Sequence, residues 1–317
     1  MSPRYVARRV FAALLSLIFV LTLNFFLFRV VKSDPVGSLF RGRNVSPEAK
    51  DRLRTEFGLD KSLPAQFTAY MGQTLRGNLG VSYATRRSVG SEILDKLGPT
   101  LVLVGISTLL SAAIGVLMGI KAAWQRNSSF DRGSTAASML TYAAPDFYIG
   151  ILLLAIFAFW LRWLPTGGIE NPDGGGLFDQ AKHLILPCVT LTLGYFGEYA
   201  IIMRSSLLEV VNEDYLVTAR AKGLRDALVR RRHAVPNAVL PVVTLFAINL
   251  GFVLSGSIAV ETVFSWPGLG LATSDALRGP DYPMLQGLFL VFSGAIILTN
   301  LATDLIYGYL DPRVSTS

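Results

Sequence analysis

The sequence predicts an all-α integral membrane protein: a bundle of about six transmembrane helices with a small extracytoplasmic subdomain between the first two. Three observations lead there. Of 317 residues, 51% are hydrophobic and only 16% are charged, against roughly 25% charged residues in a soluble globular domain. Apolar runs of about 20 residues recur along the chain and match the ~30 Å core of a bilayer. They are too long and continuous for barrel strands, so helices must satisfy the backbone in lipid. Finally, lysine and arginine gather in alternate connections between the runs.

Taken in order, Arg4, Arg8 and Arg9 precede an apolar run from Val10 to Val31. This exceeds the roughly 7–15 residues of a secretory h-region, and no small-residue cleavage site follows it, so it reads as a retained anchor and first span. Residues 32–98 mix charges of both signs and are expected to form the extracytoplasmic subdomain. There Ser46 can cap a helix with Pro47 at its first position and Gly58 beyond its end, and a second amphipathic helix is expected from near Pro64 to Gly77. Two readings of this subdomain stand, a folded spacer and a specific docking surface. The core, 99–312, holds the remaining spans: Thr100–Lys121, Thr135–Trp160, Leu184–Met203, Val239–Val260 and Pro283–Ile306. A short tail, 313–317, follows. The Gly- and Pro-rich stretch Leu164–Gln180 reads as a flexible external loop, because the chain contains no GxxxxGK[ST] string to make a phosphate cradle.

Arginine and lysine set the orientation. They fill the N-terminal tail, the connection with Lys121, Arg126 and Arg132, and the loop 204–238, which carries Arg204, Arg220, Lys222, Arg225 and Arg230–Arg232. Both termini are therefore expected in the cytoplasm. The net charge of +7 follows from this topology. No aromatic-interleaved basic face is present, so nucleic acid is not an expected partner. Cys188, the single cysteine, excludes an intrachain disulfide. His183 and His233 have no ligand set around them, so no metal or cofactor is expected. No HExxH, GxSxG or paired-carboxylate constellation occurs, so no catalytic residues are assigned and the chain is not expected to be an enzyme.

The loop 204–238 contains "VNEDYLVTARAKGL", which has the signals of a short helix. Asn212 is the expected N-cap, Glu213 and Asp214 lie in the first turn, and Arg220 and Lys222 lie in the last. Gly223 stands where a residue of positive φ ends a helix. Tyr215, Thr218, Ala219 and Lys222 recur at helical spacing, and Ala219 is small enough for close approach. About ten residues of helix are marginal alone in water. Support must come from the bundle or a partner, or else the helix lies on anionic lipid. Arg230–His233 is assigned to topology and membrane lipid.

Further polar residues stand out. Glu198 lies within the fourth span, where an acid is either a functional site or paired inside the bundle. Asp304 and Asp311 fall near the end of the last span and are expected to pair with loop arginines such as Arg204 or Arg232. "WPGLG" (Trp266–Gly270) has the aromatic and turn content of an interfacial re-entrant loop.

These segments jointly resemble the inner-membrane permeases of ATP-binding-cassette importers, in particular the dipeptide, oligopeptide and nickel branch. The stretch Asp214–Leu224 is similar to that branch's coupling loop, with Gly223 followed by Pro241 at the family's interval; Val217 and Thr218 replace the Glu and first Ala of the broader "EAA" pattern, as is usual for the branch. Gly77–Leu101, Ala144–Gly168, His183–Gly194, Glu261–Gly287 and "DLIYGYLDPRV" (Asp304–Val314) resemble other segments of the branch in the same order. The resemblance implies a type I importer permease bundle in a prokaryotic plasma membrane. It implies a second, homologous permease as heterodimer partner, two ATPase subunits that bind ATP and magnesium, and an extracytoplasmic binding protein that delivers peptides. It makes Asp214, Tyr215, Thr218, Ala219, Lys222 and Gly223 the ATPase-coupling contacts. It makes Glu261, Trp266, Pro267, Gly268 and Gly270 an external gate or binding-protein contact. Glu198 and Asp304 remain possible intramembrane polar sites. The alternative is a secondary transporter or channel independent of ATP, which usually carries a stronger internal repeat than is visible here.

Overall fold

The computed structural model describes residues 3–31 and 60–310, together with Ser46, Glu48, Arg52 and Thr55. The helix expected from Pro47 to Gly58, Asp311 and the tail 313–317 lie outside the described residues. Among these residues, regular structure is helical apart from one isolated antiparallel bridge between Val81 and Ser88.

The first helix, α1, runs Pro3–Phe25 and continues as a π-helical turn over Phe26–Val31. Its arginines thus belong to the helix and not to a preceding tail. Next comes α2 (Leu63–Leu75), led by Ser62 and Pro64 and followed by Gly77 at φ +78°, close to the expected bounds. The helix α3 (Val89–Trp124) begins well ahead of the predicted Thr100. Then follow α4 (Ser129–Ala143) and α5 (Asp146–Leu153), the latter extended by a π-helical stretch over Leu154–Trp160.

The third predicted span, Thr135–Trp160, is not one straight helix: α4 and α5 meet at 102°. Proline explains the break. Pro145 has no N–H to continue the ladder, and it holds Ala144 extended at ψ 134°. Apolar periodicity runs through both halves, so hydropathy alone cannot register the corner.

Helix α6 (Gly176–Val210) is the centre of the bundle. Within its most apolar window 61% of the residues are buried, against 17% for α1. Its main partner is α3, which approaches closely because Gly115 and Gly119 present no side chains. A Cβ at Gly115 would lie 2.5 Å from Phe196 O, and one at Gly119 would lie 2.6 Å from Ala200 O. This is the small-xxx-small device by which membrane helices pack where lipid removes the hydrophobic drive. Outward-facing Phe11, Leu14, Ile18 and Phe19 of α1 are exposed, as a lipid-facing surface requires.

After α6 come α7 (Asp214–Ala221) and α8 (Asp226–Val229), a π-helical turn over Arg230–Ala234, and α9 (Val235–Ala238). They lead into α10 (Leu240–Val263), bent 47° from the segment before it. Then α11 (Leu269–Arg278) turns back, and α12 (Tyr282–Leu310) closes the fold against α1 and α10. Among the described residues, four helices are long and apolar enough to cross a membrane, or up to six if each bent pair is one span.

Candidate functional site

Two polar regions stand out at different parts of the bundle. The first is built on α7. Its N-cap is Glu213 and not Asn212, whose side chain instead donates to Leu208 O, one turn back on α6. No side chain caps the start of α7. The other end is fastened. Gly223 has φ +78°, its N–H donates to Arg220 O at 2.9 Å, and Leu224 N–H reaches Ala219 O at 3.4 Å. These two bonds make the Schellman closure that a left-handed glycine permits.

The helix has two faces. Leu216 and Ala219 are buried, in one apolar cluster with Ala123 of α3 and Tyr199, Met203 and Leu207 of α6. Asp214, Tyr215, Val217, Thr218, Lys222 and Gly223 are exposed. Ala219 therefore touches the chain's own bundle and is not available to a partner, which corrects its assignment. The small residue allows close approach, but by α7 to its own support. Leu216 and Val217 were missed because they are adjacent in the sequence and fall on opposite faces of the helix, one buried and one exposed. Which of them faces inward depends on the docking of α7.

The second region is the turn between α10 and α11. Glu261 is fully buried and its carboxylate accepts from Thr100 Oγ1 at 2.9 Å, Ser257 Oγ at 3.0 Å, Gly270 N–H at 2.7 Å and Leu271 N–H at 3.2 Å. Thr100 Oγ1 also accepts from Leu269 N–H at 2.8 Å. The first turn of α11 is thus capped by residues of α3 and α10, where unpaired N–H groups and the helix dipole favour a carboxylate. Trp266, also buried, donates its indole N–H to Pro99 O at 3.0 Å.

The glycines follow from this crowding. A Cβ at Gly268 would lie 2.3 Å from Thr100 Oγ1, and one at Gly270 would lie 2.6 Å from Ile258 Cα. Glu261, Trp266, Gly268 and Gly270 are buried and Pro267 half-buried. As placed here, the four buried residues cannot be a surface for a binding protein. They fasten the turn to α3 at Pro99 and Thr100. A neighbouring anchor was missed from sequence: buried Asp281 takes the Ser82 hydroxyl and the N–H groups of Tyr83 and Ala84, the latter two at 3.1 Å. It ties the segment before α3 to the start of α12.

Polar groups inside the bundle are paired with one another, Glu198 in line with one of its two readings and Asp304 differently from expectation. Glu198 accepts from Asn249 Nδ2 of α10 at 3.0 Å. Asp304 pairs with Arg9 of α1 at 3.1 Å and not with Arg204 or Arg232. Arg204 is taken by Asp131 of α4, with its Nε at 2.6 Å and its Nη2 at 2.9 Å. The sequence offered many arginines for each acid, and only helix packing chose among them. His183 does have a carboxylate one turn away, Asp179, at 3.7 Å from its Nδ1.

Comparison with known proteins adds the following. The chain matches the family of binding-protein-dependent transport system inner membrane components over residues 114–316, and its N-terminal membrane component over residues 2–104. It is 37% identical over 317 residues to a putative peptide permease of Brucella suis biovar 1, covering 99% of each chain. It is 36% identical to the di/tripeptide transport system permease DppB of Pseudomonas aeruginosa, covering 98% of each. It is 37% identical to the glutathione transport system permease GsiC of Pectobacterium atrosepticum, again covering 98% of each. In fold it is similar to the methionine ABC transporter MetNI in an inward-facing conformation, with a TM-score of 0.57 at 17% identity. That match covers 69% of this chain and 96% of the other.

Proposed function

This chain belongs to the family of binding-protein-dependent transport system inner membrane components, and we propose that it forms half of the translocation pathway of an ATP-binding-cassette importer for di- or oligopeptides. The observation that carries this reading is likeness over 98–99% of the chain to permeases named for peptides and glutathione. The other half is a homologous permease, making a heterodimer. Two ATPase subunits bind ATP and magnesium and perform the hydrolysis, and an extracytoplasmic binding protein supplies the substrate. The distribution of lysine and arginine supports a prokaryotic plasma membrane protein with both termini in the cytoplasm.

In this reading the exposed face of α7 is the ATPase contact, formed by Asp214, Tyr215, Val217, Thr218, Lys222 and Gly223, while Leu216 and Ala219 hold it on the bundle. A short helix closed at one end and packed on α3 and α6 suits the transfer of rigid-body motion. The external turn, fastened by Glu261 and Trp266, serves as a gate at the other region.

Two measurements test the proposal. The purified complex with its ATPases and binding protein should hydrolyse ATP faster when peptide is added. Uptake by membranes that hold this chain but no ATPase would overturn the reading. Gly223→Val forces a β-branched side chain into φ +78°, and is expected to reduce ATPase co-purification or uptake while membrane insertion persists. Unchanged assembly and uptake would remove α7 from the contact.

A further inference from the structure

The indole of Trp124, the last residue of α3, joins three elements distant in sequence. Its Nε1–H donates to Asp226 Oδ2 at 2.7 Å. Asp226 opens α8, and its other oxygen lies 3.6 Å from Nε of Arg220, in the last turn of α7. Two guanidiniums approach the ring, Arg220 with its Cζ 6.0 Å and Arg230 with its Cζ 5.5 Å from the centroid. Both also stand near the C-terminal end of α3, where the helix dipole favours positive charge. Directly before the indole, Ala123 shares an apolar cluster with Leu216, Ala219 and Val229.

The chain's covalent path makes this junction informative. α7 is joined directly to α6 and, through α8 and α9, to α10, but it has no covalent path to α3 that avoids α6 and the corner between α4 and α5. α3 is also pressed on α6 through Gly115 and Gly119, but those contacts lie more than one turn before its C-terminal end. A force on the outward face of α7 enters α6 by the backbone. Whether it slides past α3 or carries α3 with it depends on the side chains between them. At that place stand one hydrogen bond to a carboxylate and two cation–π contacts.

We propose that Trp124 is a positioning residue for transport, the joint through which displacement of α7 is passed to the end of α3. The proposal rests on the reading of α7 as the ATPase contact. Each contact is individually weak at a solvent-accessible position, which suits a joint that yields and re-forms in every cycle.

The test uses the full complex with both ATPases, the second permease and the binding protein. Trp124→Phe keeps the ring and removes the N–H donor, Trp124→Ala removes both, and Asp226→Asn removes the ion pair with Arg220. The ATPases are expected to co-purify at the wild-type level with all three variants. Peptide imported per ATP hydrolysed should fall about fivefold in Trp124→Ala and less in Trp124→Phe. The KM for peptide-loaded binding protein should stay unchanged. The double variant W124F/D226N should lose less than the sum of the two single losses, because both substitutions weaken one network of Trp124, Asp226 and Arg220.

An unchanged transport-to-hydrolysis ratio in Trp124→Ala overturns the proposal. So does loss of the ATPases from that variant, which would make Trp124 a docking support and not a joint. If Trp124→Ala does not fold, the Phe and Asn variants carry the same comparison. Failure of the underlying reading is separately visible: unaltered assembly and uptake in Gly223→Val removes α7 from the ATPase contact whatever Trp124 does.

Discussion

At Glu261, four donors converge on one buried carboxylate, and two of them are backbone N–H groups of the first turn of α11. Glu261→Ala would leave those donors unpaired in a dry site, at about 1–3 kcal/mol for each that finds no other partner. The expected result is a clearly lower unfolding temperature of the purified protein in detergent. Glu261→Gln keeps an acceptor oxygen and should lose less. Equal melting of the Ala variant and wild type would show that the turn is held by something else. A second test at this scale concerns Arg9 and Asp304, paired at 3.1 Å. Asp304→Arg should lower the yield of folded protein, and Arg9→Asp should restore it, whereas Arg204→Asp should not, because Arg204 is already bound to Asp131. Residue identities made Glu261 and Asp304 visible as acids near apolar segments. Their partners were not legible, since each partner lies on an element far away in the chain.

Among the elements, helix ends were more legible than helix faces. Gly223, Pro64 and Pro145 act through the local backbone, so their effects can be read without knowing the neighbours. Gly223 closes α7 as expected, and Pro64 starts α2. The corner at Ala144–Pro145 was also encoded locally, but the apolar run on both sides concealed it. The inward side of α7 was not encoded locally, because only the packing against α3 and α6 chooses Leu216 and Ala219. The same reasoning applies to the α3–α6 pair. Gly119→Val should destabilise the bundle by roughly 1–3 kcal/mol or more, because its Cβ would meet Ala200 O at 2.6 Å. Gly105→Val, on the same helix with nothing within 4 Å of its Cβ, should be tolerated. Thermal unfolding of the two variants side by side checks this, and similar losses for both would contradict the packing described.

For the whole molecule, we propose that the two termini lie on one side of the membrane, which an even number of crossings, four or six, requires. Cysteine labelling tests this. In a Cys188→Ser background, Ser2→Cys and Ser317→Cys should react with an impermeant maleimide from the same face, and Gly72→Cys of α2 from the opposite one. Termini that label from opposite faces would require an odd number of crossings. The sequence by itself determined the class of molecule, the apolar segments, the alternate connections that carry positive charge and the short glycine-closed helix in one of them. These are properties of composition and of neighbouring residues, and lipid enforces them on any chain so composed. Only the tertiary structure decided that the WPGLG turn is buried and fastened to α3, that Ala219 faces inward, that Asp304 takes Arg9, and that Trp124 meets α7. Those outcomes depend on which helices lie side by side, and without a hydrophobic drive between helices in lipid, that choice falls to close packing and a few polar pairs.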